Sequence, residues 1–299
     1  MKANPRFENK GMEFWAYVRA ITQTLNAAKR GEDKINPYSL IEILESLRMQ
    51  NYPTKALGDI EHPTQLAVDL AAYFEYRANV LNTHVRKVLM RADEAEKEFS
   101  DLCKRLGVGN GDEIRDRSGR KCAIRYDVGG VKVEVAMNKQ KNEKRAIQYF
   151  TGMIDLTVAD SLKCEFDYDP HQLATIGDSK KLYATMARRM DGAFPSTHNP
   201  RAVWEIKEYY YTTTFGSKIS DAVYVTQLDG YERDEIKAMT GDAPQLLLMV
   251  DAYDTWWGKG KSYLCRLIDI LNMGKVDYIL FGREVISDLP SIAKGWLRA

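Results

Sequence analysis

Three polar residues in two neighbouring blocks of the chain have the types and spacing needed for metal-dependent hydrolysis. Asp191 precedes Gly-Ala-Phe-Pro, and Glu205 and Lys207 lie further on, in the apolar run Val-Trp-Glu-Ile-Lys. Residues i and i+2 of a strand project from the same face, so Glu205 and Lys207 should point together while Trp204 and Ile206 face a core. Asp191, at the end of a preceding strand, would converge with them.

The chemistry of phosphodiester hydrolysis explains why these residue types would be wanted together. Carboxylates are hard oxygen ligands of the kind Mg²⁺ prefers, and such a metal polarises a phosphoryl oxygen and activates water. A lysine beside them orients that water or neutralises the developing charge. We therefore predict Asp191, Glu205 and the backbone carbonyl of Ile206 as ligands of Mg²⁺, with Lys207 as a catalytic residue.

The acid–x–lysine pattern alone is weak, because it recurs elsewhere in the chain, for example at Glu235-Ile-Lys237. Only the block at Glu205 lies in an apolar, strand-like run that follows an acid-ended strand. The alternative interpretation is a strand whose two solvent-facing charges merely pair with each other.

The block with DGAFP before VWEIK resembles the PD-(D/E)XK nuclease superfamily, which includes many type II restriction endonucleases and RecB-like nucleases. More narrowly, the segment from FDYDP to SDAVY resembles a group of bacterial restriction-type endonucleases, and the resemblance covers roughly residues 165–299. It implies that Asp191 and Glu205 are the motif acids and Lys207 the motif lysine. Met190 departs from the family, which often has proline there.

The resemblance also suggests residues outside the motif strands. Gln227 and Tyr231 have the Q-x-x-x-Y form of RecB-like nucleases, and residues four apart share a helix face. It implies a catalytic role for Gln227 and a DNA contact for Tyr231, whereas the alternative is a coincidental glutamine and a half-buried tyrosine. Glu165 is a candidate for the helical glutamate that the family often adds.

Several basic or hydroxyl-bearing positions are candidates for gripping DNA phosphates. Arg188 and Arg189 precede Asp191, and Lys218 lies at the expected start of a helix, where backbone N–H groups favour anions. The basic turn at 141–145 and the threonine-rich stretch at 212–216 are further candidates. Surface arginines, a solvated loop and ordinary helix capping are the alternatives.

The elements that must position these residues change along the chain. Apolar residues at helical spacing predict a helical region over 1–106, whose last helix runs from Pro63 to Leu106. Residues 107–165 form a β-hairpin-rich segment around Gly129-Gly130, a candidate DNA-contacting segment, and they end in a predicted strand over 147–159.

Residues 166–299 alternate strands and helices, which predicts an α/β fold with a mixed sheet flanked by helices. With the resemblance, this becomes a PD-(D/E)XK restriction-endonuclease-like core that follows the N-terminal helical region.

The composition indicates an ordinary globular protein, and the net charge gives no support for nucleic-acid binding. The chain has 299 residues, 44% hydrophobic and 28% charged, which suits one large or two modest globular domains. Its net charge of +1 lacks the basic excess of many nucleic-acid binders, although a local groove can still be basic. The four cysteines and four histidines lack metal-ligand spacing, so we expect reduced thiols and no zinc site.

A nucleotide-binding alternative rests on Gly258-Lys-Gly-Lys-Ser262, which follows a buried strand. The phosphate-binding loop also requires a glycine at position 255, which is threonine here, and two tryptophans would crowd the phosphates. The polar N-terminus and the lack of a long apolar run predict no signal peptide or membrane span, and hence a cytoplasmic location.

These observations predict a Mg²⁺-dependent endonuclease that cuts double-stranded DNA, as a homodimer if it cuts both strands of a palindrome. The resemblance implies a role in restriction or other defence. Two alternatives stay open: a repair or recombination nuclease with the same chemistry, and a non-catalytic DNA-binding protein whose carboxylates bind no metal.

Overall fold

The chain folds as helices up to residue 106 and as mixed helices and strands after it. A computed structural model describes residues 1–8, 10–28, 32–138, 146–211 and 217–298. The helices are Met12–Thr24 (α1), Leu40–Met49 (α2), Gln65–Val80 (α3), Arg86–Val88 (α4), Ala92–Leu106 (α5), Tyr149–Leu162 (α6), Ser217–Thr240 (α7), Tyr253–Trp256 (α8), Lys261–Asn272 (α9), Glu284–Ser287 (α10) and Leu289–Trp296 (α11). The strands are Asp112–Arg115 (β1), Lys121–Val128 (β2), Val131–Ala136 (β3), Thr175–Gly177 (β4), Leu182–Thr185 (β5), Gly192–Phe194 (β6), Ala202–Glu208 (β7), Gln245–Asp251 (β8) and Tyr278–Phe281 (β9).

The central sheet has the order β6-β7-β8-β9, with β6 antiparallel to β7 and the other pairs parallel. Alternate side chains enter two hydrophobic clusters. Trp204 and Leu247 join the cluster that contains α6 and α11, whereas Val203 and Leu248 join the cluster that contains α7 and α9. Helices therefore cover both faces, which confirms the predicted mixed α/β architecture.

Strand β6 is short, and this shapes the edge of the sheet. It pairs only with Ala202–Trp204 of β7, so the second half of β7 has no strand partner on that side within the described chain. A Cβ at Gly192 would lie 2.0 Å from the Trp204 ring, so only glycine lets β6 approach β7 here. The open edge begins where Asp191 and Glu205 lie.

The predicted hairpin is confirmed. Strands β1, β2 and β3 form an antiparallel sheet, and Val128 pairs with Val131 across Gly129 and Gly130. Both glycines have positive φ, at 61° and 97°, as a two-residue hairpin turn with right-handed strand twist requires. The sheet packs on α6 and shares one hydrophobic cluster with the central sheet, so residues 107–165 and 166–299 have a common core.

The strand predicted over 147–159 is wrong, because these residues belong to helix α6. Twelve of its fourteen residues are buried, and an almost wholly apolar run gives no periodicity that separates a buried helix from a buried strand. The fourteen-residue length is the better indicator, since buried strands are usually shorter.

The single helix predicted from Pro63 to Leu106 is also wrong in extent. The backbone passes through a π turn at Leu81–Val85 and becomes extended at Leu89 before α5 begins. Asp251, at the end of β8, accepts a hydrogen bond from the Met90 amide at 2.8 Å, and the Tyr253 amide donates to the Met90 carbonyl at 2.8 Å. Docking against the sheet therefore breaks the helix.

The remaining elements predicted over the second half of the chain are present as α7, β8, α9, β9 and α11. Within the described ranges, no helix is both long enough and apolar enough to cross a membrane.

The N-terminal helices have their own hydrophobic cluster, and a buried ion pair joins them to the rest. Arg77 of α3 donates to both carboxylate oxygens of Asp269 of α9, at 3.0 and 3.1 Å, and the Tyr73 hydroxyl donates to the same carboxylate. The Arg77 side chain is 2% exposed. A buried charge is tolerated only with such a partner, so this contact fixes α3 against α9.

Candidate functional site

Strands β6 and β7 bring Asp191, Glu205 and Lys207 together. The Ile206 amide donates to Asp191 Oδ2 at 2.7 Å, which holds the carboxylate beside β7. Lys207 Nζ donates to Glu205 Oε1, and the two side chains share one face of the strand, opposite Trp204. Their charges do pair, but they do not face open solvent, because the side chains are only 16% and 6% exposed.

These residues line a cavity of about 410 Å³ at the open edge of β7. The lining residues that carry a carboxylate are Glu134, Asp155, Asp169, Asp191, Glu205 and Glu208. Lys207 is the one lysine or arginine among the lining residues that the structure describes. So many acidic groups around one ammonium group favour the binding of a cation, because each carboxyl group that ionises adds negative charge to the cavity.

Helix α6 forms one wall of the cavity, and Glu208 positions its start. The Glu208 carboxylate accepts from the Thr151 amide at 3.1 Å and from the Thr151 hydroxyl at 3.0 Å. A carboxylate at a helix N-terminus satisfies backbone N–H groups and interacts favourably with the helix dipole. Asp155 lies four residues after Thr151, on the same helix face, and therefore also faces the cavity.

Asp155 is a candidate site residue that the sequence did not reveal. It is 1% exposed, and its Oδ1 atom has no hydrogen-bond partner among the described residues. Loss of hydration raises its pKa well above the usual range, and the charges of Asp169, Asp191 and Glu208 raise it further. The sequence did offer one signal, a single acid inside the apolar run GMIDLTVA. Burying a carboxylate without a partner costs free energy, so an acid in such a run indicates a role other than packing.

The surroundings of Asp191 raise its pKa in the same way. Its side chain is open to solvent on one side, but the surrounding protein atoms remove much of the hydration of the carboxyl group. This desolvation raises the pKa of Asp191 to about 7, and the nearby charge of Glu205 adds to the rise. A bound divalent cation would relieve the repulsion between the two carboxylates.

Arg188, predicted as a DNA contact, binds two carboxylates of the protein itself. Its Nη1 donates to Glu205 Oε2 at 2.6 Å, and its Nε donates to Asp229 Oδ1 at 2.9 Å. Asp229 lies on α7, and its side chain is 3% exposed. The guanidinium thus links α7 to Glu205, and the sequence alone could not pair residues so far apart.

Replacing Arg188 with alanine should lower the free energy of unfolding by about 3 kcal/mol, because Asp229 would then remain buried without a counter-charge and Glu205 would keep only Lys207. Chemical denaturation monitored by circular dichroism measures this change. Arg189→Ala is the matched control, since Arg189 is exposed and should change stability by less than about 0.5 kcal/mol. Equal stability of the two variants would contradict the role assigned to Arg188.

Gln227 and Tyr231 are not brought to the carboxylate cavity. Their side chains form a hydrogen bond of 3.3 Å with each other, and Gln227 lines a different cavity, next to α1 and α9. Asp229 lies two residues from each of them, about 200° around the helix, and it is Asp229 that faces Glu205. Gln227 and Tyr231 do share one face of α7, as their spacing predicted. That face points away from the carboxylate cavity, and the face that carries Asp229 points toward Glu205.

The other predicted DNA contacts have different outcomes. Arg189 is exposed beside Asp191, so it stays a prediction, whereas Glu165 is exposed and does not line the cavity. The side chain of Lys218 and the stretches 141–145 and 212–216 lie outside the described residues.

The cavity offers oxygen donors to a magnesium ion. Within the ranges that the structure describes, no three His, Cys, Asp or Glu side chains form a complete metal site. Magnesium does not need one, because it commonly takes one or two carboxylates and keeps several waters. Asp191 and Glu205, together with the unpartnered Oδ1 of Asp155 in the same cavity, are hard oxygen donors that fit this ion.

Comparison with known proteins gives a family without an assigned activity. A family model described as Domain of unknown function (DUF7687) matches residues 90–296, well over half of the chain. A second, described as Domain of unknown function (DUF7690), matches residues 1–84. No curated protein and no solved structure matches the chain. All the site residues discussed above lie within the first match.

Proposed function

The chain belongs to a family of domains of unknown function (DUF7687), and we propose that it is a Mg²⁺-dependent endonuclease acting on double-stranded DNA. The proposal includes a PD-(D/E)XK-type core in which β6 and β7 carry the motif. Restriction or another defence against foreign DNA is the proposed role.

The observation that carries this proposal is the carboxylate cavity at the open edge of β7. Asp191 and Glu205 converge there with Lys207, in the strand arrangement that the motif requires. A cavity with this excess of carboxylates would repel the phosphates of DNA unless a cation lay between them. The arrangement is therefore better explained by metal-dependent phosphodiester chemistry than by phosphate binding alone.

Asp191 and Glu205 would hold the metal, with the Ile206 carbonyl as a further ligand. When bound, magnesium would supply positive charge that stabilises the extra negative charge on the phosphoryl group. The protein contributes the orientation of its own groups. The Ile206 amide fixes Asp191, and Arg188 fixes one oxygen of Glu205 so that the other faces Lys207.

Lys207 is the residue that would act on the reacting atoms. Its ammonium group is partly buried and already lies against the carboxylate pair. It can donate a proton or neutralise charge that develops on a phosphate oxygen during hydrolysis.

The proposal is tested by incubating circular plasmid and phage DNA with the protein in Mg²⁺, beside the same mixtures in EDTA. We expect magnesium-dependent conversion of the plasmid to linear or fragmented DNA. Discrete fragments would support restriction and a homodimer acting on a palindrome, and progressive shortening would favour a repair nuclease. Binding of DNA without any cutting would overturn the proposal in favour of a non-catalytic DNA-binding protein.

A further inference from the structure

A second cavity, of about 340 Å³, lies between the N-terminal region and the core. Its walls come from α1, α7 and α9, and it lies on the side of α7 opposite Asp229. The apolar lining residues are Trp15, Val18, Val223, Ile270 and Met273. The polar rim includes Arg19, Tyr224, Gln227 and Arg266. We call this feature the α1–α7 groove.

Two arginines of the α1–α7 groove carry charge that the protein does not neutralise. Arg19 and Arg266 are both exposed, and no carboxylate of the described residues lies within 4.0 Å of either, although most other arginines in the chain have such a partner. The acid that lines the groove, Asp269, is already paired with Arg77. The groove therefore has a net positive charge, opposite in sign to the carboxylate cavity.

Exposed tyrosines lie beside these arginines. Tyr224 and Tyr231 are 55% and 43% exposed and lie seven residues apart on α7, which is about 10 Å along a helix. The Arg266 guanidinium donates to the Tyr224 hydroxyl at 2.6 Å, and Lys275 Nζ lies 4.2 Å from the centre of the Tyr231 ring. Two exposed aromatic rings therefore lie next to two arginines that have no carboxylate partner among the described residues.

The surroundings of Tyr231 confirm the positive character of this surface. A hydrogen bond from Gln227 lowers the pKa of the Tyr231 hydroxyl, and contacts with Arg19 and Lys275 lower it as well. An anionic ligand would experience the same attraction.

We propose that the α1–α7 groove binds single-stranded nucleic acid, with phosphates on Arg19 and Arg266 and bases against Tyr224 and Tyr231. Guanidinium groups bind phosphate oxygens, and exposed rings stack on the faces of unpaired bases. Within a duplex the base faces are stacked on one another, and a run of acidic residues alone offers no flat rings to the tyrosines. The inference rests on the proposed function only in taking DNA as the substrate.

The position of the α1–α7 groove predicts which form of DNA binds most tightly. The α1–α7 groove and the carboxylate cavity lie on different sides of α7, so one strand could be held away from the place where the backbone is cut. DNA with a single-stranded tail should therefore bind more tightly than blunt duplex of the same length.

The test is fluorescence anisotropy with labelled oligothymidylate in EDTA, where no cutting occurs. Arg19→Ala and Arg266→Ala should each weaken binding about tenfold and reduce the slope of log affinity against log salt by about 0.7. Tyr224→Ala should weaken binding about tenfold, whereas Tyr224→Phe should bind as the wild type does. Arg48→Ala, at an exposed arginine of α2 outside the groove, is the matched control and should change nothing. Thermal melts establish that each variant is folded.

Two results would overturn the inference: an unchanged salt slope in both arginine variants, or equal competition by polyglutamate. The proposed endonuclease activity is judged separately. Glu205→Gln should bind oligothymidylate as the wild type does, so loss of cutting with retained binding separates the two sites.

Discussion

Replacing Glu205 with glutamine should lower the rate of magnesium-dependent DNA cleavage by about a thousandfold or more, and the protein should stay folded. The substitution removes one of the two charges that would hold the metal, and magnesium commonly takes only one or two carboxylates. Folding should be retained because Arg188 keeps its buried partner Asp229. Single-turnover cleavage of plasmid DNA, followed on gels, measures the rate.

The control for this variant is Glu165→Gln. It makes the same chemical change at an exposed acid outside the cavity, and its cleavage rate should equal that of the wild type. Glu205→Gln should change the free energy of unfolding less than Arg188→Ala does, because it leaves Arg188 paired with Asp229 and removes a charge that repels Asp191. A variant that cuts at the normal rate would show that Glu205 has no part in hydrolysis.

Thermal stability without metal should fall as the pH rises from about 4 to about 7. Burial raises the pKa of Glu208 to about 7 and the pKa of Asp251 to about 7. The folded state then binds more protons than the unfolded state in this window, so the free energy of unfolding decreases with pH. Each group contributes a loss of roughly 3 to 4 kcal/mol, and the two losses are not additive because the groups interact.

Magnesium should stabilise the folded protein more at high pH than at low pH, because it binds the ionised form of its carboxylate ligands. The melting temperature should rise more on adding Mg²⁺ at pH 8 than at pH 5.5, as measured by differential scanning fluorimetry. Asp251→Asn should flatten the dependence on pH in the absence of metal, whereas Glu235→Gln, at an exposed acid of α7, should leave it unchanged. A melting temperature that rises steadily from pH 4 to pH 7 would contradict the assignment of buried, protonated carboxyl groups.

The strand pair that carries Asp191, Glu205 and Lys207 could be predicted because its signals are local. Alternation in a short apolar run fixes which side chains share a face, and the glycine after Asp191 permits a close strand approach. The turn at Gly129 and Gly130 was equally readable, since its conformation depends on two residues alone. Local rules thus suffice where short-range sterics decide the structure.

The parts that failed depend on contacts between distant residues. Asp155 was hidden because α6 is apolar on all sides, and such a helix leaves no periodic pattern. Gln227 was placed on the wrong side because spacing along a helix fixes which residues share a face but not which way that face points. The contact between Arg188 and Asp229 could not be predicted, because 41 residues separate the two along the chain.

The buried contact between Arg77 and Asp269 bears on how this protein could have evolved. Two separate family models meet in this chain, and the ion pair lies between the parts that they match. If residues 1–84 were lost, Asp269 would have no cation beside it. The apolar residues that pack against the N-terminal helices would also become exposed. Gene rearrangements that exchange one part for an unrelated sequence would therefore be selected against, and the two parts should be inherited as a unit.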